Sequence, residues 1–291
     1  MSVSLFADNQ WFWALVLVGA MTLAARSIVR RISHARAKRL GGGKRASATH
    51  VSSSSNEKRR DDGTLASATL TFGNGNVYAG ELNGEHLFDG VGAYQYKLTQ
   101  GQLLQYTPAQ LAARRTAILK AFETHRVRDK PTAARLARLF QTKLWRTSLE
   151  QLSLNDSVPF VGYAGEFKEG FQHGVGREFT HNDQAYEGSF VDGKRHGFAV
   201  QVFAAGAQGV YVGHFVNDKK HDDAGTFFFG PNIDGPLVLP QNALNNAVYV
   251  GPFRDGKRHG RGVLRKPNGD ELEMIFHEGV VQAAVPKDKE A

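Results

Sequence analysis

A fourteen-position register, Tyr-x-Gly-x-Phe-x-x-Gly-x-x-His-Gly-x-Gly, recurs along the second half of this chain and restricts its fold more than any other feature. It is complete twice. One copy runs through Tyr163, Gly165, Phe167, Gly170, His173, Gly174 and Gly176, the other through Tyr249, Gly251, Phe253, Gly256, His259, Gly260 and Gly262. Between them Tyr186, Gly188, Phe190, Gly193, His196 and Gly197 repeat it with Ala199 in the last slot, and Tyr211, Gly213, Phe215 and His221 repeat it less fully. These tyrosines are spaced 23, 25 and 38 residues apart, the long step holding a Pro- and Asn-rich insertion at 231–246. Upstream, Tyr78, Gly80, Leu82, Gly90 and Gly92 fit if one residue is added before the glycine pair. Downstream, Leu272, Phe276 and Gly279 fit, with Met274 in a glycine slot. A period of this length with degenerate end units predicts a repeat architecture, six units in all with caps at its ends.

The physical content of one unit is a β-hairpin. In Tyr163 to Phe167 the alternation sets Tyr163, Gly165 and Phe167 on one face and Ala164 and Glu166 on the other. Phe171 to Gly174 supplies the reversal, Val175 to Phe179 the return strand, and His181 to Asp183 the turn into the next unit. Glycine on the aromatic face leaves room for a neighbouring ring, and glycines near the turn allow positive φ. A lone hairpin is marginal, so the units must stack and cover one another.

Carrying these motif residues, the chain resembles the MORN (membrane occupation and recognition nexus) repeats over Tyr78 to Tyr96 and Tyr163 to Gly279. The resemblance implies an all-β fold: an elongated, twisted antiparallel sheet of stacked hairpins serving as an interaction surface, often at a membrane and sometimes as a homodimer. Asp218 and Asp222 depart from it by replacing glycines in the fourth unit, which predicts a bend or break in the sheet there.

Around the repeats the expected organisation is an N-terminal membrane anchor (1–29), a basic disordered linker (30–63), the first degenerate unit (64–96), a basic helical insert (97–160), units two to six (161–279) and a tail (280–291). Trp11 to Ala25 is an uncharged apolar run of fifteen residues, nineteen to Val29 if Arg26 snorkels, just long enough to span a bilayer. Trp11 and Trp13 suit one interface, and basic residues crowd the other end. No Lys or Arg precedes the run, which argues against a cleaved signal peptide. A mitochondrial presequence is the other alternative, since Asp8 is the sole acid before Glu57. A retained single-pass helix would leave the C-terminal bulk in the cytosol by the positive-inside rule, or in the matrix if the membrane is mitochondrial. The following linker, Gly- and Ser-rich with eleven Lys and Arg between Arg26 and Arg60, either attracts anionic headgroups or only sets topology.

Charge is partitioned. Against a formal +8 overall, residues 1–60 carry +9 and Lys97 to Leu152 carry +8, which leaves the repeats at −9. An acidic sheet is a poor match to nucleic acid, so no nucleic-acid partner is expected. In the insert, Thr107-Pro108-Ala109-Gln110 reads as an N-cap, a first-turn proline and a capping-box glutamine, followed by the stripe Leu111, Ile118, Leu119 and Phe122. A second helix starts near Pro131, with Leu136, Leu139, Phe140 and Leu144 on one side and Arg135, Arg138, Lys143 and Arg146 largely on another. The expected arrangement packs this hairpin on the aromatic face of the sheet, its arginines meeting the acidic repeats. A free partner-binding or membrane-surface hairpin is the alternative.

No catalytic, cofactor or metal site emerges. His173, His196, His221 and His259 share one repeat position, but equivalent residues of successive hairpins are about 9.6 Å apart, too far for one zinc. The chain has no Cys, no Gly-x-Ser-x-Gly elbow, and no Ser or Thr after Lys in Gly43-Lys44-Arg45, Gly193-Lys194-Arg195 or Gly256-Lys257-Arg258. Residues 280–291 are too few for a catalytic domain. The pairs Lys194-Arg195, Lys219-Lys220 and Lys257-Arg258 would line one sheet edge as a basic rim for anions. The expected function is a non-enzymatic, membrane-anchored scaffold or accessory subunit that binds a protein partner. The alternative is an anionic-lipid-binding tether between two membranes.

Overall fold

In units two to six the reversal falls earlier than the register suggests. At Glu169-Gly170, Asp192-Gly193, Asn217-Asp218, Asp255-Gly256 and Glu278-Gly279 both residues have positive φ, between 48° and 87°. That is the two-residue turn whose twist matches paired strands. Phe171 to Gly174, expected to be the turn, is therefore already return strand. The second glycine cluster makes a bulge instead: at Gly174, Gly197 and Gly260 φ is 61°, 79° and 71°.

The computed structural model describes residues 52–53, 57–59, 61–62, 65–84, 87–99, 107–143, 161–180, 184–203, 208–231 and 244–286. Its strands join in one sheet of seventeen segments. The first three are β1 (Ser52–Ser53), β2 (Lys58–Arg59) and β3 (Leu65–Thr71). The first unit is β4 (Val77–Leu82) and β5 (Phe88–Gln95). The second is β6 (Gly162–Lys168) and β7 (Phe171–Phe179), and the third β8 (Ala185–Val191) and β9 (Lys194–Phe203). The fourth comprises β10 (Gly209–Val216), β11 (Lys219–Lys220) and β12 (Asp222–Phe229). The fifth comprises β13 (Val248–Arg254), β14 (Lys257–Arg258) and β15 (Gly260–Arg265), and the sixth β16 (Glu271–His277) and β17 (Val280–Pro286). Every neighbour from β3 to β17 is antiparallel to the next, and the sheet does not close.

Three expectations change at the ends and the middle. Ser52–Ser53 and Lys58–Arg59, placed in a disordered linker by composition, pair with β3, so the sheet begins ahead of the first unit. Val280–Pro286, expected in the tail, is the return strand of the sixth hairpin. The fourth unit is not interrupted: Asp218 adopts φ 71° in place of glycine, and β10 pairs with β12 from Gly209 to Val212. A register shift between Asp222 and Gly225 absorbs the extra residues against β13. The apolar run Trp11–Ala25 lies outside the described residues. Among those described, no helix is long and apolar enough to cross a membrane.

The insert forms α1 (Pro108–His125), a 3-10 turn (Arg126–Arg128) and α2 (Lys130–Gln141). Thr107 and Gln110 close the expected capping box on α1, and the Asp129 side chain caps α2 at Thr132 N. The hairpin packs on the sheet, but on the face opposite the tyrosines. Leu136 and Leu139 are buried against Ala79, Ala93, Ala164 and Val175, and Ile118 and Phe122 against Ala185, Val200, Val202, Val210 and Val212. The small aliphatic side chains of that face leave a recess a helix can fill; the aromatic face is occupied by its own rings. The arginines do meet acids: Arg135 lies 3.0 Å from Glu166, and Arg126 lies 3.2 Å from Glu187.

Candidate functional site

The tyrosines of the register lie flat over small residues. Gly80 faces Gly92, Gly165 faces Gly176 and Gly188 faces Ala199 within hairpins; Gly92 faces Gly165, Gly176 faces Gly188, Ala199 faces Gly213 and Gly225 faces Gly251 between them. One stripe of small residues thus crosses the sheet until Met274 ends it opposite Gly262. A Cβ at Gly165 would stand 2.4 Å from the Tyr163 hydroxyl and 2.6 Å from the Gly176 Cα, so a side chain and the ring exclude each other. Tyr78, Tyr163, Tyr186, Tyr211 and Tyr249 are all buried, as are Phe167, Phe190, Phe215 and Phe253.

Each buried hydroxyl then needs an acceptor. A backbone carbonyl three residues further on provides it: Tyr163 donates to Glu166 O at 2.8 Å, Tyr186 to Ser189 O at 2.8 Å, and Tyr211 to His214 O at 3.1 Å. Tyr78 donates likewise to Glu81 O at 2.6 Å. Register position four has its own part, since the Glu81 and Glu166 carboxylates accept from Val91 N and Val175 N at the bulge. In the fifth unit the pattern fails, and the buried Tyr249 hydroxyl has no hydrogen-bond partner. Rings of successive units meet edge to face: Tyr163 with Phe190 at 4.9 Å, Tyr186 with Phe215 at 5.2 Å, Tyr211 with Phe253 at 4.9 Å and Tyr249 with Phe276 at 5.4 Å.

The basic rim does not survive as one surface. Lys194, Lys219 and Lys257 are exposed at the hairpin ends, where Lys219 pairs with Asp255 at 3.2 Å. Arg195, Lys220 and Arg258 point to the aromatic face instead, because neighbours along a strand point to opposite faces. That signal is present in the sequence, and reading each pair as one patch overlooked it. Arg195 lies 5.2 Å over the Tyr186 ring and donates through Nε and Nη2 to Glu178 at 2.9 and 2.7 Å. Lys220 Nζ lies 4.4 Å from the Phe203 ring, 5.2 Å from Tyr211 and 5.6 Å from Phe227. Arg258 is held among Phe227, Phe229, Tyr249 and Phe276 at 5.0 to 5.6 Å.

Ring faces attract these cations, but rings accept no ordinary hydrogen bond. The Arg258 Nε is buried without a partner. Burial, with Arg258 and Arg195 nearby, pushes the Lys220 ammonium down from 10.5 to about 7, and burial brings Arg258 down to about 10. The Tyr249 phenol is pushed up to about 12 by burial, against the pull of Arg258. Chemically this face sets against aromatic rings two cations that have no acidic partner among the described residues.

The histidines take no common role: His173 Nδ1 is 3.8 Å from Asp192, His214 Nδ1 is 2.9 Å from Asp222, and the His259 and His277 rings are 5.3 Å apart. Among the described residues no group of three or more His, Cys, Asp or Glu is placed to hold a metal ion.

A stack of β-hairpins with tyrosines on a glycine stripe defines a hairpin-repeat protein. The family model described as MORN repeat matches residues 163–180, 186–208, 211–221 and 249–271, which fall on units two to five. The first and sixth hairpins lie outside those matches and continue the same sheet register. No curated protein matches the chain.

Proposed function

We propose that the protein is a non-enzymatic scaffold or accessory subunit whose repeat sheet binds a protein partner at a membrane. The observation that carries this reading is the unclosed array of hairpins matching the MORN repeat, with an aromatic, cation-bearing face. Most polar groups on that face serve the fold, and the ones left over are suited to binding. Membrane placement rests on the Trp11–Ala25 run and the basic residues after it. The deciding experiment is native-size analysis of the tagged full-length protein after extraction in mild detergent, with identification of whatever co-purifies. A discrete large species with a partner in fixed ratio is the expected result. A particle of one or two chains plus detergent overturns it.

The lipid-tether alternative draws on Lys194, Lys219 and Lys257, yet Asp192, Asp218 and Asp255 share those hairpin ends, so the edge is of mixed charge. A tether requires the protein to bind liposomes containing phosphatidylserine through these lysines and to release them as salt rises. Lack of any salt-sensitive binding leaves the scaffold alone.

A further inference from the structure

The repeats provide an internal comparison. In units three to five the residue at register position ten, Arg195, Lys220 or Arg258, lies over the ring of its unit's tyrosine. In the third unit Glu178 faces Tyr186 from the preceding return strand, and Arg195 and Glu178 form a close ion pair of 2.7 Å. In the second unit the same two positions hold Gln172 and Tyr94, neither of them charged. In the fourth and fifth units the cation is kept and the acid is gone: Gln201 faces Tyr211 beneath Lys220, and Phe227 faces Tyr249 beneath Arg258. No described hydrogen bond or carboxylate is within reach of either cation, and the Tyr249 hydroxyl and Arg258 Nε beside them are buried and unpartnered.

A charge taken out of water is retained where something neutralises it. The two cations share the Phe227 ring, at 5.6 Å from Lys220 Nζ and 5.3 Å from Arg258 Cζ, which sets them as neighbours around one side chain. We propose that the aromatic face over the fourth and fifth units takes an acidic side chain of a partner peptide, its carboxylate filling the acceptor position that Glu178 fills in the third unit. The carboxylate accepts from Lys220 Nζ and the Arg258 guanidinium, as Glu178 accepts from Arg195. Phe203, Phe227 and Phe229 receive the apolar residues that flank it. A peptide is the occupant because both cations are half-buried among rings, where a single side chain can approach them and the flat surface of a bilayer cannot. This rests on the protein-interaction reading above and names the chemistry of the contact.

The test reads Lys220 directly in the full-length protein in detergent. A lysine held neutral near pH 8 is acetylated readily by an amine-reactive ester, and a bound carboxylate that keeps it protonated slows the reaction. The probes are a capped octapeptide alternating Glu with Leu, its Gln-for-Glu twin, inorganic phosphate, and mixed micelles containing phosphatidylserine. Expected is a roughly fivefold or greater slowing of Lys220 acetylation by the Glu peptide and none by the twin. Gln201→Glu, which restores the acid of the third unit, is expected to raise the melting temperature and abolish the effect of the peptide. Equal protection by both peptides, protection by neither, or protection by phosphate or phosphatidylserine alone overturns the proposal. If the native-size experiment yields no partner while Lys220 still responds to the Glu peptide, the scaffold reading fails and the site stands; a partner whose binding ignores Lys220→Met gives the reverse.

Discussion

At the residue scale, glycine has three different uses in one register, and the three predict different costs of substitution. A Cβ at Gly165 meets the Tyr163 hydroxyl at 2.4 Å and the Gly176 backbone at 2.6 Å in a packed layer. Gly165→Ala should therefore destabilise by about 1–3 kcal/mol, the range for overpacking, measured by urea denaturation. Gly170→Ala has open space around it, yet φ is 85°, and it should cost about 1–2 kcal/mol through backbone strain alone. Equal stability of wild type and Gly165→Ala would show that the tyrosine does not need the stripe. Lys220 gives a second prediction, in pH. Its folded value is about 7 against 10.5 for an ordinary lysine, so between these limits the unfolded chain holds a proton that the folded chain lacks. Stability then rises with pH across that window; below about 7 both states are charged and the full penalty of burial applies. Lys220→Met should be more stable than wild type at pH 6.5, with the gap narrowing steadily toward pH 10 in thermal melts. A gap that stays constant removes the argument. The register itself disclosed the tyrosines and glycines, because aromatic and glycine positions repeat. It did not disclose the Tyr163 to Glu166 carbonyl bond, which depends on the register shift between Gly165 and Glu166 that exists only once β6 is paired with β7.

At the element scale, the helical hairpin was legible as helices and misplaced as a layer. Caps and stripes are local, so Thr107, Gln110 and Leu136 announce α1 and α2 without reference to the sheet. Which face receives them is decided by what the sheet has left unfilled. The tyrosines lie down over glycine and close their own face, whereas Ala79, Ala93 and Ala164 stand on the other face as a shallow floor. What pins the hairpin there is polar. Glu187, buried beneath the 3-10 turn, accepts from Arg177 Nε at 2.7 Å and lies 3.2 Å from Arg126 Nε off the line of a good hydrogen bond, while Arg177 stacks 4.1 Å from the Phe140 ring. Arg128 donates to Thr226 at 3.0 Å further along the same face. Glu187→Gln leaves two guanidinium groups facing a neutral amide, and the expected loss is about 3–5 kcal/mol in chemical denaturation, as for a broken buried pair. Leu136→Ala should cost about 2–5 kcal/mol by the cavity it opens between α2 and the alanine floor. If both variants unfold like wild type, the hairpin is not docked as described.

At the scale of the whole molecule, the sheet is a linear array in which each hairpin touches its neighbours and little else, so stability is set locally. The helical hairpin interrupts that uniformity. Leu136 and Leu139 tie together β4 to β7, and Ile118 and Phe122 tie β8 to β10, giving those strands a core on each side. From β13 onward only the aromatic face has a packed core, and the array ends on β17, where Val280 is 61% and Val285 54% exposed. Strands with one buried face and an open edge should exchange their amide protons through smaller openings than strands buried on both sides. The third to fourth units, β8 to β10, are thus expected to be protected at least about tenfold longer than β15 to β17 in hydrogen-exchange mass spectrometry, a factor of ten corresponding to about 1.4 kcal/mol. Glu187→Gln should shorten the protection of β8 to β10 and leave β16 and β17 unchanged, because the ion pair lies in the helix-covered segment. Uniform exchange along the whole sheet would instead mean that the array unfolds as a single unit, and that the hairpin adds no stability of its own to the repeats it covers.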